Sequence, residues 1–185
     1  MLSFDKKDWF TIPNILSLIR LMLIPIFSII YLNATQPWQY YLAAFIILLS
    51  GLTDLLDGWI ARKYHQITEL GKLLDPVADK LTQAVVVFCL TRQFNWMRII
   101  VVLFLVKELF MMINNLILLR KGKKLDGAKW YGKIATAIFY ICIIFLIAFP
   151  FISDLIASIL IIIIGLFLLL SFFLYGKIFI KMYKE

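Results

Sequence analysis

Four aspartates, Asp54, Asp57, Asp75 and Asp79, stand close together in a chain where only 16% of residues are charged. Their setting is apolar: Asp54-Leu55-Leu56-Asp57-Gly58-Trp59-Ile60-Ala61-Arg62, then Gly71, then Leu74-Asp75-Pro76-Val77-Ala78-Asp79-Lys80. At about 3.6 residues per turn, spacings of three and four put each pair on one helix face. Carboxylates in hydrocarbon are costly, and four facing one another repel unless cations lie between them. Hard oxygen ligands at this density suit Mg²⁺, Mn²⁺ or Ca²⁺. Two such ions clamp a pyrophosphate and stabilise both the attacking and leaving oxygens of an in-line displacement. Transfer of that kind depends mainly on positioning and charge neutralisation. Gly58 and Gly71 leave backbone bare for close approach, and Arg62 is suited to pair with a phosphate. The residues therefore predict a metal-dependent enzyme acting on a phosphate anhydride. A membrane cation carrier, or an inactive scaffold, is the competing class, because intramembrane acids also mark ion pathways.

Composition decides what must hold these acids. The chain has 185 residues, 63% of them hydrophobic, and a mean hydropathy of +0.95. That is far above a soluble domain, and the length suits about six spans of about 20 residues. The expected architecture is an all-α integral membrane protein, one membrane-embedded domain over residues 1–185 with six transmembrane helices. A net charge of +8 flanks apolar segments without forming an aromatic-interleaved patch, so a bilayer partner is expected and nucleic acid is not. Cys89 and Cys142 fall inside apolar segments, where they should pack as small hydrophobes rather than pair. Residues 3–10 read as a short amphipathic helix at the headgroups. No cleavable signal pattern precedes the first span, which is expected to direct insertion itself.

The expected spans run Ile12–Leu32, Trp38–Lys63, Leu70 to Cys89 or Arg92, Phe94–Leu119, a fifth reaching Pro150, and Leu155–Tyr175. Both acid pairs then lie near one membrane face, on consecutive antiparallel helices. Basic residues crowd the start, the second and fourth connections and the end, whereas the opposite connections hold only Arg92 and Arg98. The positive-inside rule makes both termini and the acids cytoplasmic, in the cell membrane. Arg20 lies within the first span and should face the protein interior. Lys107 and Glu108 sit mid-span and, being about 100° apart on a helix, should each find a partner on another helix. His65 is expected in a solvated connection.

The run Asp54-x2-Asp57-Gly58-x2-Ala61-Arg62-x8-Gly71-x3-Asp75-x3-Asp79 resembles, without departure, the signature of the CDP-alcohol phosphotransferase family. The resemblance implies that family's six-helix membrane fold, usually a homodimer, and two divalent cations, Mg²⁺ or Mn²⁺. It implies that Asp54, Asp57, Asp75 and Asp79 bind the metals and that Asp79 is the general base. Asp54, Asp57, Gly58, Ala61, Arg62 and Gly71 would contact the CDP moiety. The acceptor hydroxyl would attack the β-phosphorus of CDP-diacylglycerol and expel CMP. Ile12-Pro13-Asn14-Ile15-Leu16-Ser17-Leu18-Ile19-Arg20 and Gly132-Lys133-Ile134-Ala135-Thr136 resemble the branch whose acceptor is glycerol 3-phosphate, with Ala135 where that branch has lysine. Gly51 to Gly58 is similar to the related branch that uses phosphatidylglycerol to form cardiolipin. Asn14, Arg20, Lys107 and Lys133 are the candidate acceptor or phosphate ligands, and a small phosphorylated alcohol is the favoured acceptor.

Overall fold

In the computed structural model, the described residues are 11–64, 66, 68–123 and 129–184. The expected amphipathic opening at residues 3–10 and His65 lie outside them. Among the described residues six helices follow one another: α1 (Ile12–Leu32), α2 (Pro37–Lys63), α3 (Glu69–Leu90), α4 (Met97–Arg120), α5 (Trp130–Ala148) and α6 (Asp154–Lys184).

Local chemistry sets their ends. The start of α2 carries a capping box between Gln36 and Gln39 and a proline in its first turn, which together satisfy or remove orphan N–H groups. Thr68 caps α3 by accepting from the Gly71 N–H at 3.0 Å. At the end of α4, Gly122 takes φ +71°. Its N–H reaches the Leu119 carbonyl at 3.0 Å and the Lys123 N–H reaches that of Leu118 at 2.9 Å, a Schellman closure that needs a residue without Cβ at this point. The expected end of the sixth helix at Tyr175 is corrected: α6 runs nine residues further, to Lys184. Gly176 does not stop it, because Phe179 is buried, and Ile178, Met182 and Tyr183 pack with it around Leu118 and Tyr131. Its 31 residues measure about 46 Å at 1.5 Å per residue, more than a hydrocarbon core of about 30 Å, so its lysine-bearing turns extend past the apolar layer.

Five helices, α1, α2, α4, α5 and α6, are long and apolar enough to cross a membrane. The helix α3 falls short of that composition although its 22 residues reach about 33 Å. Glu69, Lys72, Asp75, Asp79 and Lys80 crowd its first half. The outer faces are studded with exposed apolar side chains such as Met22, Phe45, Val102, Ile141 and Leu166, which is the pattern of a surface solvated by lipid.

The packing is not a simple hairpin of α2 on α3. Helix α1 packs against both, α2 and α3 each reach α5, and α6 packs on α4 and α5. A large apolar core fills one end of the bundle, from Phe27 and Tyr31 through Ile47 and Leu90 to Met97, Ile143 and Ile164. A smaller cluster around Leu118, Tyr131, Tyr175 and Phe179 closes the other end between α4, α5 and α6. Cys89 and Cys142 are buried free thiols, as expected.

Candidate active site

The four aspartates occupy the last turns of α2 and the first turns of α3, and α1 joins them. Arg20, 1% exposed, sends one arm of its guanidinium to Asp54 Oδ1 at 2.5 Å and the other to Asp57 Oδ2. Ser17, one turn earlier and fully buried, donates to Asp75 Oδ1 at 2.5 Å and lies 3.4 Å from Asp57 Oδ2. Ser17 of α1 thus joins an acid of α2 to one of α3, and Arg20 of α1 joins the two acids of α2. Spacing of three between Ser17 and Arg20 puts both on one face of α1, and burial of that face carries them into the cluster.

Asn14 belongs to the same face. Its amide donates to Thr68 Oγ1 at 2.9 Å, and a Cβ added at Gly71 would fall 2.6 Å from Asn14 Oδ1. Gly71 is therefore needed for the close approach of α1 to the start of α3. Gly58 is different: a Cβ there would make ordinary contact with the Arg62 guanidinium, 3.4 Å away. Ala61 is half-buried and Arg62 exposed, so this edge of α2 is open.

On the other side of the acids lies a cavity of about 530 Å³. Asp54, Asp75 and Asp79 line it together with Lys80, Lys107, Glu108, Asn115, Thr136, Ser171 and Tyr175. Asp57, 2% exposed, stands behind it. Asp79 Oδ1 accepts from the Gln83 amide at 2.9 Å and from the Tyr140 hydroxyl at 3.2 Å. Its Oδ2 lies 3.4 Å from Lys80 Nζ, and Lys80 is also 3.4 Å from Glu108 Oε1. Lys107 and Glu108 do pair with each other, at 2.6 Å, against the expectation for adjacent residues. Their long side chains fold across the 100° between them at the wall of the cavity that both line. The cross-helix partner expected for Glu108 is Lys80.

Of the expected acceptor ligands, Lys107 lines the cavity. Arg20 and Asn14 are occupied in joining helices, and Lys133 is exposed and outside the lining. Lys80, Gln83, Tyr140, Ser17 and Ser171 were missed. Lys80 carried a signal, a cation next to Asp79 in an apolar chain; the others are ordinary residues whose roles arise only from packing.

The donor set has the chemistry for divalent cations, hard carboxylate oxygens from two helices around one cavity. As the side chains stand, no group of three such ligands among the described residues is gathered closely enough to hold one ion. Arg20 supplies a positive charge between Asp54 and Asp57.

The helical bundle thus sets three acids on one cavity beside Lys80 and Lys107, and comparison with known proteins gives its class. The sequence matches the CDP-alcohol phosphatidyltransferase family over residues 10–174. It is 34% identical over 131 residues to the CDP-diacylglycerol–glycerol-3-phosphate 3-phosphatidyltransferase of Escherichia coli K12, covering 69% of this chain and 71% of that one. The proteins of the same name from Shigella boydii and Shigella sonnei match to the same extent. The chain belongs to the CDP-alcohol phosphatidyltransferase family.

Proposed function

We propose that the protein transfers the phosphatidyl group of CDP-diacylglycerol to glycerol 3-phosphate and releases CMP, a step of phospholipid synthesis. The observation that carries this reading is the single cavity that runs from Asp54, Asp75 and Asp79 to Lys80 and Lys107. The aspartates on this cavity suit a metal-bridged pyrophosphate, and the ammonium groups of Lys80 and Lys107 beside them suit a small doubly charged acceptor. The name of the Escherichia coli relative states the same donor and acceptor.

In this reading Asp54, Asp57, Asp75 and Asp79 hold two divalent cations, Mg²⁺ or Mn²⁺. Bound there, the ions would neutralise the pyrophosphate and the charge developing on the leaving CMP. Gly58, Ala61 and Arg62 form the open edge of α2 where the CDP moiety binds. Lys107 and Lys80 bind the acceptor's phosphate and bring its hydroxyl beside Asp79. Asp79 takes the hydroxyl proton as the new O–P bond forms at the β-phosphorus, and the bond to the CMP phosphate breaks with its electron pair on CMP.

The membrane placement follows the same reading. The helix α3 forms a sixth span whose polar half faces the protein, residues 3–10 lie on the headgroups, and the basic connections set the site toward the cytoplasm of the cell membrane. The unit is a homodimer, as the sequence resemblance implies.

The test uses purified protein in detergent with CDP-diacylglycerol and Mg²⁺ or Mn²⁺, offering labelled glycerol 3-phosphate or labelled phosphatidylglycerol and following CMP. A labelled lipid phosphate from the first, lost on adding EDTA and restored by the cation, is the expected result. Cardiolipin from the second alone would replace the acceptor. Turnover indifferent to EDTA would remove the two-metal reading.

A further inference from the structure

Asp79 has two oxygens in unlike surroundings. Oδ1 accepts from both the Gln83 amide, at 2.9 Å, and the Tyr140 hydroxyl, at 3.2 Å. Oδ2 lies on the Lys80 side, 3.4 Å from its ammonium, and Asp79 and Lys80 line the cavity whereas Gln83 and Tyr140 do not. The Gln83 amide is itself fixed: its Nε2 donates to Asp79 while its Oε1 faces Lys80 Nζ at 3.4 Å. Turning that amide over would set oxygen against the carboxylate and nitrogen against the ammonium, so the local charges select one orientation. Gln83 is 4% exposed, one turn beyond Asp79 on α3, and Tyr140 reaches in from α5, so the carboxylate is held from two helices.

We infer that Gln83 and Tyr140 are positioning residues that lock the Asp79 carboxylate with Oδ1 engaged and Oδ2 turned to the cavity, as the oxygen that receives the acceptor's proton. This rests on the proposed role of Asp79 as the base. A free aspartate turns its two oxygens about the Cβ–Cγ bond over a broad, roughly two-fold range. Two donors on one oxygen remove that freedom before substrate arrives, which is how a fixed supporting shell raises the rate of a positioned group. The donors touch neither substrate, so they act on turnover and leave binding alone.

Tyr140→Phe and Gln83→Met test the inference, each removing a donor while keeping most of the volume. Expected for each is a fall in kcat of about tenfold, with KM for CDP-diacylglycerol and glycerol 3-phosphate within about twofold. Binding of CDP-diacylglycerol measured without acceptor, and the unfolding temperature in detergent, should stay at the parent values. The double variant should lose less than the product of the two single losses, since both donors serve one oxygen. An unchanged kcat in Tyr140→Phe, or a raised KM at parent kcat in either variant, would overturn it. Tyr140→Phe keeps the ring and decides the matter should Gln83→Met fold poorly. Asp79→Asn is run beside them. If it keeps parent turnover, the reading of Asp79 as base fails; if it is inactive while Tyr140→Phe and Gln83→Met turn over normally, only the inference fails.

Discussion

The two acid pairs have the same composition and near-identical spacing, yet the fold treats them differently. The α2 pair is gripped by one buried guanidinium, with Asp57 2% exposed and behind the cavity. The α3 pair lines the cavity and is held mostly by neutral donors, Ser17 on Asp75 and Gln83 with Tyr140 on Asp79. The contrast is sharpest between Asp57, which is buried, and the three acids that line the cavity. A carboxylate with no access to water needs a full opposite charge, because an unpaired buried ion is several kcal/mol unfavourable. A carboxylate at a cavity wall keeps some solvation, and hydroxyl and amide donors suffice to orient it. Asp57 and Arg20 tie α1 to α2, and Asp54, Asp75 and Asp79 face what enters.

That contrast implies that damage to the Arg20 grip on Asp57 appears as lost stability, and damage to Asp79 as lost chemistry alone. The largest effect is expected from Asp79→Asn: transfer falls about a thousandfold, the range of a lost general base, while unfolding in detergent moves by less than about 1 kcal/mol. CMP release and a denaturant titration on the same preparation check both halves, and more than a tenth of parent activity would break the comparison. Next is Arg20→Met, which leaves Asp54 and Asp57 without their shared cation. A loss of about 3–5 kcal/mol is expected from stranding a buried charge, read as an earlier unfolding midpoint. Parent stability in that variant would mean that the α2 acids do not depend on α1. The smallest is Gly71→Ala. Its methyl group would meet the Asn14 amide oxygen at 2.6 Å, and overpacking of this kind costs about 1–3 kcal/mol. Unfolding should move toward the low end, since Asn14 can swing away by giving up its bond to Thr68. A stability equal to the parent would show the approach of α1 to be looser than the geometry indicates.

How far the site could be read before folding depends on the kind of residue. Asp54, Asp57, Asp75 and Asp79 announce themselves because charge is costly in hydrocarbon, and their three- and four-residue spacings set the face they share. Ser17, Gln83, Tyr140 and Ser171 give no such signal; serine, glutamine and tyrosine at these positions would suit many helix faces. Gly71 was visible as a glycine, but the reason for it, the Asn14 side chain pressed on its backbone, depends on a helix more than fifty residues earlier. Helical direction alone sends Lys107 and Glu108 to partners elsewhere, and the length of their side chains lets them meet.

By itself the sequence determined that this is a helical membrane protein, where its apolar helices lie to within a few residues at most ends, and where its four clustered acids stand along them. Periodicity, apolar length and the cost of buried charge are local quantities, and each can be read along one dimension. Tertiary structure decided that Ser17 of α1 links Asp57 to Asp75, that Arg20 is the counter-ion of Asp54 and Asp57, and that α6 runs on to Lys184. It also decided that one oxygen of Asp79 is tied back by Gln83 and Tyr140. Those outcomes depend on which helix faces meet across the bundle, and contact at that range is set by the packing of all six helices together.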